Sequence, residues 1–545
     1  EKMVEMRASR RDYKKGIDAI EGRRRRDNHV VQLRKNKKEE GMMKRRAMTT
    51  TAEVNSLATI DATNTSDVNN TTEKKMYTKI DLPGLMQIFA TESTNNSRIL
   101  EAVRGIRKML SVEVNPPVNE VIDCGALPIL VELLKKVDSN DILFEAAWAL
   151  TNVASTDKTR NVVDSGAVPH LINLLLCKGA DVREQSAWCL GNIAGDSPDL
   201  RTYVLECGGM GPLLKNIAEP ESESLLNNCV WALSNFCRGK PQPDLDLVAA
   251  AIPYLAGILQ RPSGDALMDA CWALSYLSDG DDTRIDAVMN SGVVPDIVSF
   301  LGSGKANVVT PALRTLGNFV SGNDKQTQSV LDAGVLNYVP ALLEHERKNI
   351  RKETCWLLSN IAAGTKAQIS NVVDSNTMST VVGLVNDSPW DVRKEATWVV
   401  SNIATGGKDS DVLAIVQMGA IEAICSVLEA SDAKITLVGL EAIENIFRVG
   451  ERNGKNEEYL QIVHECDGLD IIEKLQEHKN EEIYEKAVSI IEAYFGVEEN
   501  VEDENLVPNI EGDTFSFGIP NKKADGMDGE STQPQQPLQT YNFNF

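Results

Sequence analysis

Six times this chain writes a tryptophan followed four residues later by a polar side chain, at nearly even intervals. The stretches are WALTN (Trp148 to Asn152), WCLGN (Trp188 to Asn192), WALSN (Trp231 to Asn235), WALSY (Trp272 to Tyr276), WLLSN (Trp356 to Asn360) and WVVSN (Trp398 to Asn402). Successive tryptophans are 40, 43, 41, 84 and 42 residues apart, so the fourth gap holds two periods. Its midpoint is RTLGN, Arg314 to Asn318, and 43 residues beyond Trp398 comes EAIEN, Glu441 to Asn445. A period this long, filled with apolar helical segments, requires units that cannot bury their own apolar faces and must stack on their neighbours.

Punctuation runs in phase with the ladder. Gly125, Gly166, Gly208, Gly292, Gly334 and Gly419 each precede a fresh apolar run, and Asn376 takes that place once. A residue that accepts the left-handed conformation, then a proline in the next first turn, is stop-and-start grammar for helices. One unit reads cleanly between 157 and 196: TDKTRNVVDSG as a short first helix, AVPHLINLLLC as an apolar second, and DVREQSAWCLGNIAGD as a third that carries Trp188 and Asn192. Three helices per unit favour armadillo over HEAT repeats. The expected fold is all-α: a right-handed superhelical armadillo-repeat solenoid of about ten three-helix repeats.

Trp and Asn at i and i+4 share one side of the third helix. For a lone Trp the bland reading, a core residue, is the better one. Here an Asn beside each Trp makes a repeated buried amide in search of partners, so the expectation is a surface: parallel indole walls with slots between them and one amide per repeat for a passing peptide backbone. Such slots suit the stems and charges of Lys and Arg. Acids flank the ladder: Glu184 four before and Asp196 eight after Trp188, with Asp269, Glu353 and Glu395 each three before a ladder tryptophan. Singly each reads as a solvated carboxylate; as a set they suit basic ligand side chains.

The charge is divided. Residues 1–48 hold 17 Lys and Arg against 8 Asp and Glu, a net of +9, while the whole chain is −23 and the remainder therefore −32. The basic runs are RRDYKK (10–15), RRRR (23–26), LRKNKK (33–38) and KRR (44–46). For an isolated arm, a tail that sticks to nucleic acid is the default; beside an acidic Trp-lined face, docking of the arm in its own groove stays open. Residues 49–80, rich in Thr, Asn and Ser, read as a flexible linker of roughly 30 Å r.m.s. span, which gives a tethered segment an effective concentration on the order of millimolar. The solenoid is assigned to 81–496. Residues 497–545, acidic then polar with Phe515-Ser-Phe-Gly518 and a terminal Phe543-Asn-Phe545, read as a disordered tail.

Other chemistry finds little support. No run of about 18 apolar residues is present, and no membrane span or secretory signal is expected. The ten cysteines form no C-x-x-C pair, and Cys189, Cys229, Cys237, Cys271 and Cys355 lie in or beside third helices as small buried apolar residues. His29, His170, His345, His464 and His478 have no metal or catalytic spacing. No nucleophile–base set or phosphate loop appears, so neither an enzyme nor a cofactor is expected. An armadillo scaffold for acidic partners remains an alternative, disfavoured by the −32 body.

The basic arm RRDYKK…RRRR…LRKNKK…KRR followed by the W-x-x-x-N ladder closely resembles importin-α (karyopherin-α), over essentially the whole chain. The resemblance implies a nuclear import adaptor that shuttles between cytoplasm and nucleus and binds Lys/Arg-rich nuclear localisation signals, mono- and bipartite. It implies a major signal site at Trp148, Asn152, Ser155, Glu184, Trp188, Asn192, Asp196, Trp231 and Asn235. It implies a minor site at Asn318, Glu353, Trp356, Asn360, Glu395, Trp398 and Asn402. Importin-β would take residues 10–46 as a helix, with Arg23, Arg24, Arg25, Arg26, Arg34 and Lys35 contributing charge. Without importin-β, Lys44, Arg45 and Arg46 would occupy the major site and autoinhibit it. The last repeats, around 464–496, would meet an export receptor of the karyopherin-β class with Ran-GTP, and nucleoporins are further partners that the resemblance allows. Tyr276 for Asn and Arg314 for Trp interrupt the ladder, and an Arg there is expected to repel a basic peptide and split the groove into two sites.

Overall fold

The computed structural model describes residues 77–496 apart from 113–114, 137 and 262–263, together with the backbone of two short strands, Asn509–Glu511 and Thr514–Ser516. The basic arm, most of the linker and most of the C-terminal segment lie outside the described residues, and with them Arg23–Arg26, Arg34, Lys35 and Lys44–Arg46. The chain divides into two units, 1–488 and 489–545. In the second, the two strands pair antiparallel, Ile510 opposite Phe515; this is the one described piece of the segment read as a disordered tail.

The first unit is a stack of helical repeats, and the armadillo expectation holds. The repeat legible at 157–196 forms helices at Thr159–Asp164, Ala167–Leu174 and Ala180–Asp196. Third helices follow at Glu223–Cys237, Asp265–Leu277, Ala306–Phe319, Lys348–Ile361, Trp390–Gly406, Ala433–Arg452 and Glu481–Ile490, preceded by Asn96–Leu110 and Asn140–Ala154. Local signals set many starts. Ser222 Oγ accepts from Leu225 N at 3.0 Å, and Asn323 and Thr365 form reciprocal capping boxes with Gln326 and Gln368.

The corner between first and second helices demands a left-handed residue. All six phase-marking glycines have φ between 76° and 88°, and Asn376 adopts φ 56° in the same place. Asn376 bears the Cβ strain that its glycine counterparts avoid, so Asn376→Gly is expected to stabilise the fold by up to about 1 kcal/mol, read as a rise in the urea midpoint.

From Asn96–Leu110 to Ala433–Arg452, each third helix packs on the third helix of the next repeat, which makes one continuous row. The apolar side chains between layers are fully enclosed: Val162, Leu171, Val182, Leu190 and Ile193 in one repeat alone, each contributing about 1.5–3 kcal/mol. Buried amides tie repeat to repeat. Gln326 Nε2 donates to Asp282 O (3.1 Å) and Gln368 Nε2 to Asp324 O (2.8 Å) on first helices; Asn216 Nδ2 donates to Leu175 O (2.8 Å) on second helices. The cysteines expected to be buried are so: burial pushes the thiols of Cys189, Cys229, Cys237 and Cys271 up to about 12, and Cys355 higher still.

Candidate functional site

The ladder asparagines form the third and most regular of these amide series. Asn192 Nδ2 donates to Thr151 O (3.3 Å), Asn235 to Gly191 O (3.0 Å), Asn318 to Ser275 O (2.8 Å), Asn360 to Gly317 O (3.4 Å) and Asn402 to Ser359 O (2.7 Å). The acceptor is always the residue three after the preceding ladder position. That carbonyl already receives its own helix bond and offers a second lone pair. At the ends the acceptor becomes a hydroxyl: Ser111 Oγ for Asn152 (2.9 Å) and Thr405 Oγ1 for Asn445 (3.1 Å). This corrects one expectation. A repeated Asn does not require a solvent-facing surface, because the previous repeat supplies its partner. Of the amides, Asn152, Asn192, Asn235, Asn318 and Asn360 are buried and Asn402 is half-buried.

The indoles are also less exposed than a surface ladder implies. Trp148, Trp231 and Trp356 are buried, while Trp188, Trp272 and Trp398 are half-buried. Two of the three buried rings lie tight against a glycine of the preceding repeat. A Cβ on Gly191 would stand 2.5 Å from Trp231 Cζ3, and one on Gly317 would stand 2.0 Å from Trp356 Cζ3. Where that place holds Thr151, Ser234 or Ser359, the following ring (Trp188, Trp272 or Trp398) stays half-exposed. The sequence carries the corresponding signal as G-N instead of T-N or S-N.

The third buried ring, Trp148, is covered by Arg107, whose guanidinium lies 4.1 Å from the ring centroid. Arg107 is held by Glu145 through bonds of 2.7 and 3.2 Å, and Arg104 adds a bond of 2.8 Å to the same carboxylate. The arrangement recurs at the interruption: Arg314 lies 5.4 Å from the centroid of Trp356 and is 2.5 Å from Glu353. In both, an Arg at a ladder position lies over the next repeat's Trp and pairs with the acid three residues before that Trp. Glu353 is thus paired with Arg314, and the Arg314 charge is largely compensated, which weakens the repulsion argument. Glu145 was missed, although its spacing from Arg107 and Trp148 matches that of Glu353. Removing one partner of a largely buried pair leaves a charge uncompensated, so Glu353→Gln is expected to cost about 3 kcal/mol. Arg314→Ala should cost much less in the Glu353→Gln background than alone, as a guanidinium-denaturation cycle would record.

The remaining site residues fall along the same row. Ser155 is half-buried, with its hydroxyl donating to Asn152 O at 2.8 Å. Glu184 accepts from Ser224 Oγ (2.6 Å) and Asn228 Nδ2 (2.9 Å) of the next third helix, so it bridges two repeats. Asp196 is exposed at the end of Ala180–Asp196. Glu395 is buried, close enough to Cys355 for its charge to help raise that thiol. A narrow slot opens between Trp231 and Trp272, lined also by Ser234, Asn235, Arg238, Asp269 and Tyr276. Trp272 and Tyr276 stack at 6.0 Å between centroids. Arg238 was not anticipated; nothing in its local sequence marks it. Asn152 Oδ1 is buried and has no hydrogen-bond partner among the described residues.

Stacked three-helix units with an indole, amide and carboxylate row on their third helices define an armadillo-repeat protein. Armadillo/beta-catenin-like repeats match at residues 115–155, 155–195, 197–238 and 323–363, an atypical Arm repeat at 457–509, and the importin beta binding domain at 9–104. The chain is 49% identical over 531 residues to importin subunit alpha-2 of Arabidopsis thaliana, covering 96% of this chain and 97% of that one. It is 47% identical over 518 residues to importin subunit alpha-B of Dictyostelium discoideum, covering 93% and 96%. A crystal structure of an engineered protein superposes with a TM-score of 0.70 at 26% identity, covering 76% of this chain and 99% of that one. The chain belongs to the importin-α family, whose members are adaptors of nuclear import and not enzymes.

Proposed function

We propose that this protein binds Lys/Arg-rich nuclear localisation signals, extended along the third-helix row, and links them to importin-β through its N-terminal arm. The observation that carries this reading is the coincidence, in one row, of half-exposed indoles, amides fixed by the previous repeat and acids including the exposed Asp196. Each element has a role. The indole walls of Trp148, Trp188 and Trp231 flank apolar stems and attract cations. The Asn amides, immobilised by their inter-repeat bonds through nitrogen, keep their oxygens as acceptors for backbone N–H groups of the peptide. Asp196 takes the key Lys of the signal. The minor site uses Trp356, Asn360, Trp398 and Asn402, with Glu395 near and the Arg314–Glu353 pair at its edge.

Residues 10–46 bind importin-β; in its absence Lys44, Arg45 and Arg46 occupy the major site. The last repeats meet an export receptor with Ran-GTP, and the protein shuttles between cytoplasm and nucleus. Six of the seven tryptophans are in the ladder, so intrinsic fluorescence reports the site directly. A Lys-rich peptide titrated into the chain lacking residues 1–48 is expected to shift the emission saturably, and Trp188→Phe is expected to reduce the change. An unchanged spectrum with the basic peptide, or an equal response to an acidic one, would contradict the reading.

A further inference from the structure

Where one repeat hands over to the next after Cys237, two arginines from different repeats converge on a single connecting segment. Residues 238–244 join the third helix Glu223–Cys237 to the first helix that follows, whereas the connections before and after it are residue 197 alone and 278–281. A segment of this length carries carbonyls that need donors, and it finds them on both sides. Arg201, on the preceding first helix Pro198–Glu206, donates from Nη1 to Arg238 O (2.6 Å) and Pro241 O (2.9 Å), and from Nη2 to Thr202 Oγ1 (3.2 Å). Arg284, on the later first helix Asp282–Met289, donates from Nη2 to Pro243 O. Gly239, at φ 108°, lies so close that a Cβ there would stand 3.0 Å from Arg201 Nη1.

These bonds leave positive charge unanswered. Arg201 is 2% exposed, the most enclosed cation among the described residues. Its Nε and the Nη1 of Arg284 are buried and have no hydrogen-bond partner among the described residues. The other two buried arginines, Arg107 and Arg183, each pair with a glutamate, at 2.7 and 2.6 Å. Arg201 and Arg284 pair with no described carboxylate, because the acids around them are engaged elsewhere. Asp279 holds Lys240 (3.0 Å), Asp281 accepts from the Arg284 backbone N–H (3.1 Å), Asp282 from Asn323 (3.1 Å) and Asp286 from Gln326 (2.7 Å). Burial lowers the Arg201 guanidinium from its ordinary value; Cys237 opposes this, and the like charge of Arg284 adds to it. Two enclosed guanidinium groups without a counter-charge are costly, and donors left unpaired in a protein interior call for a partner.

We propose that Arg201 and Arg284 together bind a small inorganic anion of halide size, held by Arg201 Nε and Arg284 Nη1, which fastens segment 238–244 between its two flanking first helices. Both orphan N–H groups are enclosed, so the site admits a single-atom anion and excludes a tetrahedral oxyanion or an inserted side chain. A buried water would complete the two hydrogen bonds but leave both charges uncompensated. The site is separate from the peptide-binding row and does not depend on that reading.

The test follows thermal unfolding of the full chain at fixed ionic strength while sodium gluconate, whose anion is too large to enter, is exchanged for sodium bromide. An anion that binds only the folded chain raises the midpoint in proportion to the logarithm of its concentration above Kd. That rise is expected for the unmutated chain and is expected to vanish in Arg284→Met and in Arg201→Met. Crystals transferred to bromide are expected to show an anomalous peak between Arg201 Nε and Arg284 Nη1. A midpoint indifferent to bromide would overturn the proposal, and a peak found with such a midpoint would mean an adventitious ion only. A water at that position in the bromide crystals, or an equal rise in Arg284→Met, would overturn it as well. The measurements on the unmutated chain decide the matter even if Arg201→Met does not fold.

Discussion

Asp196→Lys is expected to weaken binding of a monopartite Lys-rich signal by about 100-fold or more, while the fold is left intact. A hydrogen bond to a charged partner contributes about 1.5–3 kcal/mol, and each 1.4 kcal/mol is a factor of ten in affinity. Reversal adds repulsion to the lost attraction. Asp196 is exposed at the end of its helix, where substitutions usually change stability by no more than about 0.5 kcal/mol. The loss should therefore appear in a peptide titration and be absent from a thermal melt. It should shrink as salt is raised, because an exposed pair is screened. Retained affinity at low salt would remove Asp196 from the major site.

Gly317→Val is expected to lower the stability of the ladder row substantially. In an ordinary helix, replacing Gly stabilises, by about 0.5–1 kcal/mol for Ala. Here the sign reverses. The new Cβ alone would stand 2.0 Å from Cζ3, 2.5 Å from Cε3 and 2.9 Å from Cη2 of Trp356. The clash is with a rigid ring that cannot bend away. Overpacking of this kind costs about 1–3 kcal/mol, and the ring must leave its seat, taking with it the partner that Arg314 lies over. The expected readings are a lower denaturation midpoint and a red-shifted Trp emission. Gly191→Ala, at 2.5 Å from Trp231 Cζ3, should show the same signs at smaller size. An unchanged or higher midpoint for Gly317→Val would mean that ring burial in the row is not set by the preceding residue.

Much of this was legible in the sequence because a repeat presents its logic several times. The helix order within 157–196, the left-handed corners at Gly166 and Asn376, and the interior cysteines all follow from local rules that hold in each unit alone. What sequence reasoning missed lies between units. Asn192 alone looks like a buried amide without a partner; its partner, Thr151 O, is 41 residues away on the previous third helix. Arg314 looks like a gap in the ladder until Glu353, on the next helix, is seen to hold it. Arg107 and Glu145 form the same pair at the other end of the row. Trp231 packs against Gly191, one period upstream, with no room for a Cβ. Each of these is a nearest-neighbour effect in a stacked fold, visible in the sequence only when consecutive periods are aligned.

The most direct test of the central claim is the affinity of one fluorescent Lys-rich signal peptide for residues 49–545 and for the full chain, at a single salt concentration. The prediction is tight binding to the shortened chain and weaker binding to the full one, with the difference removed by added importin-β. Absence of binding to either form would contradict the assignment of the Trp–Asn–acid row as a receptor for basic peptides.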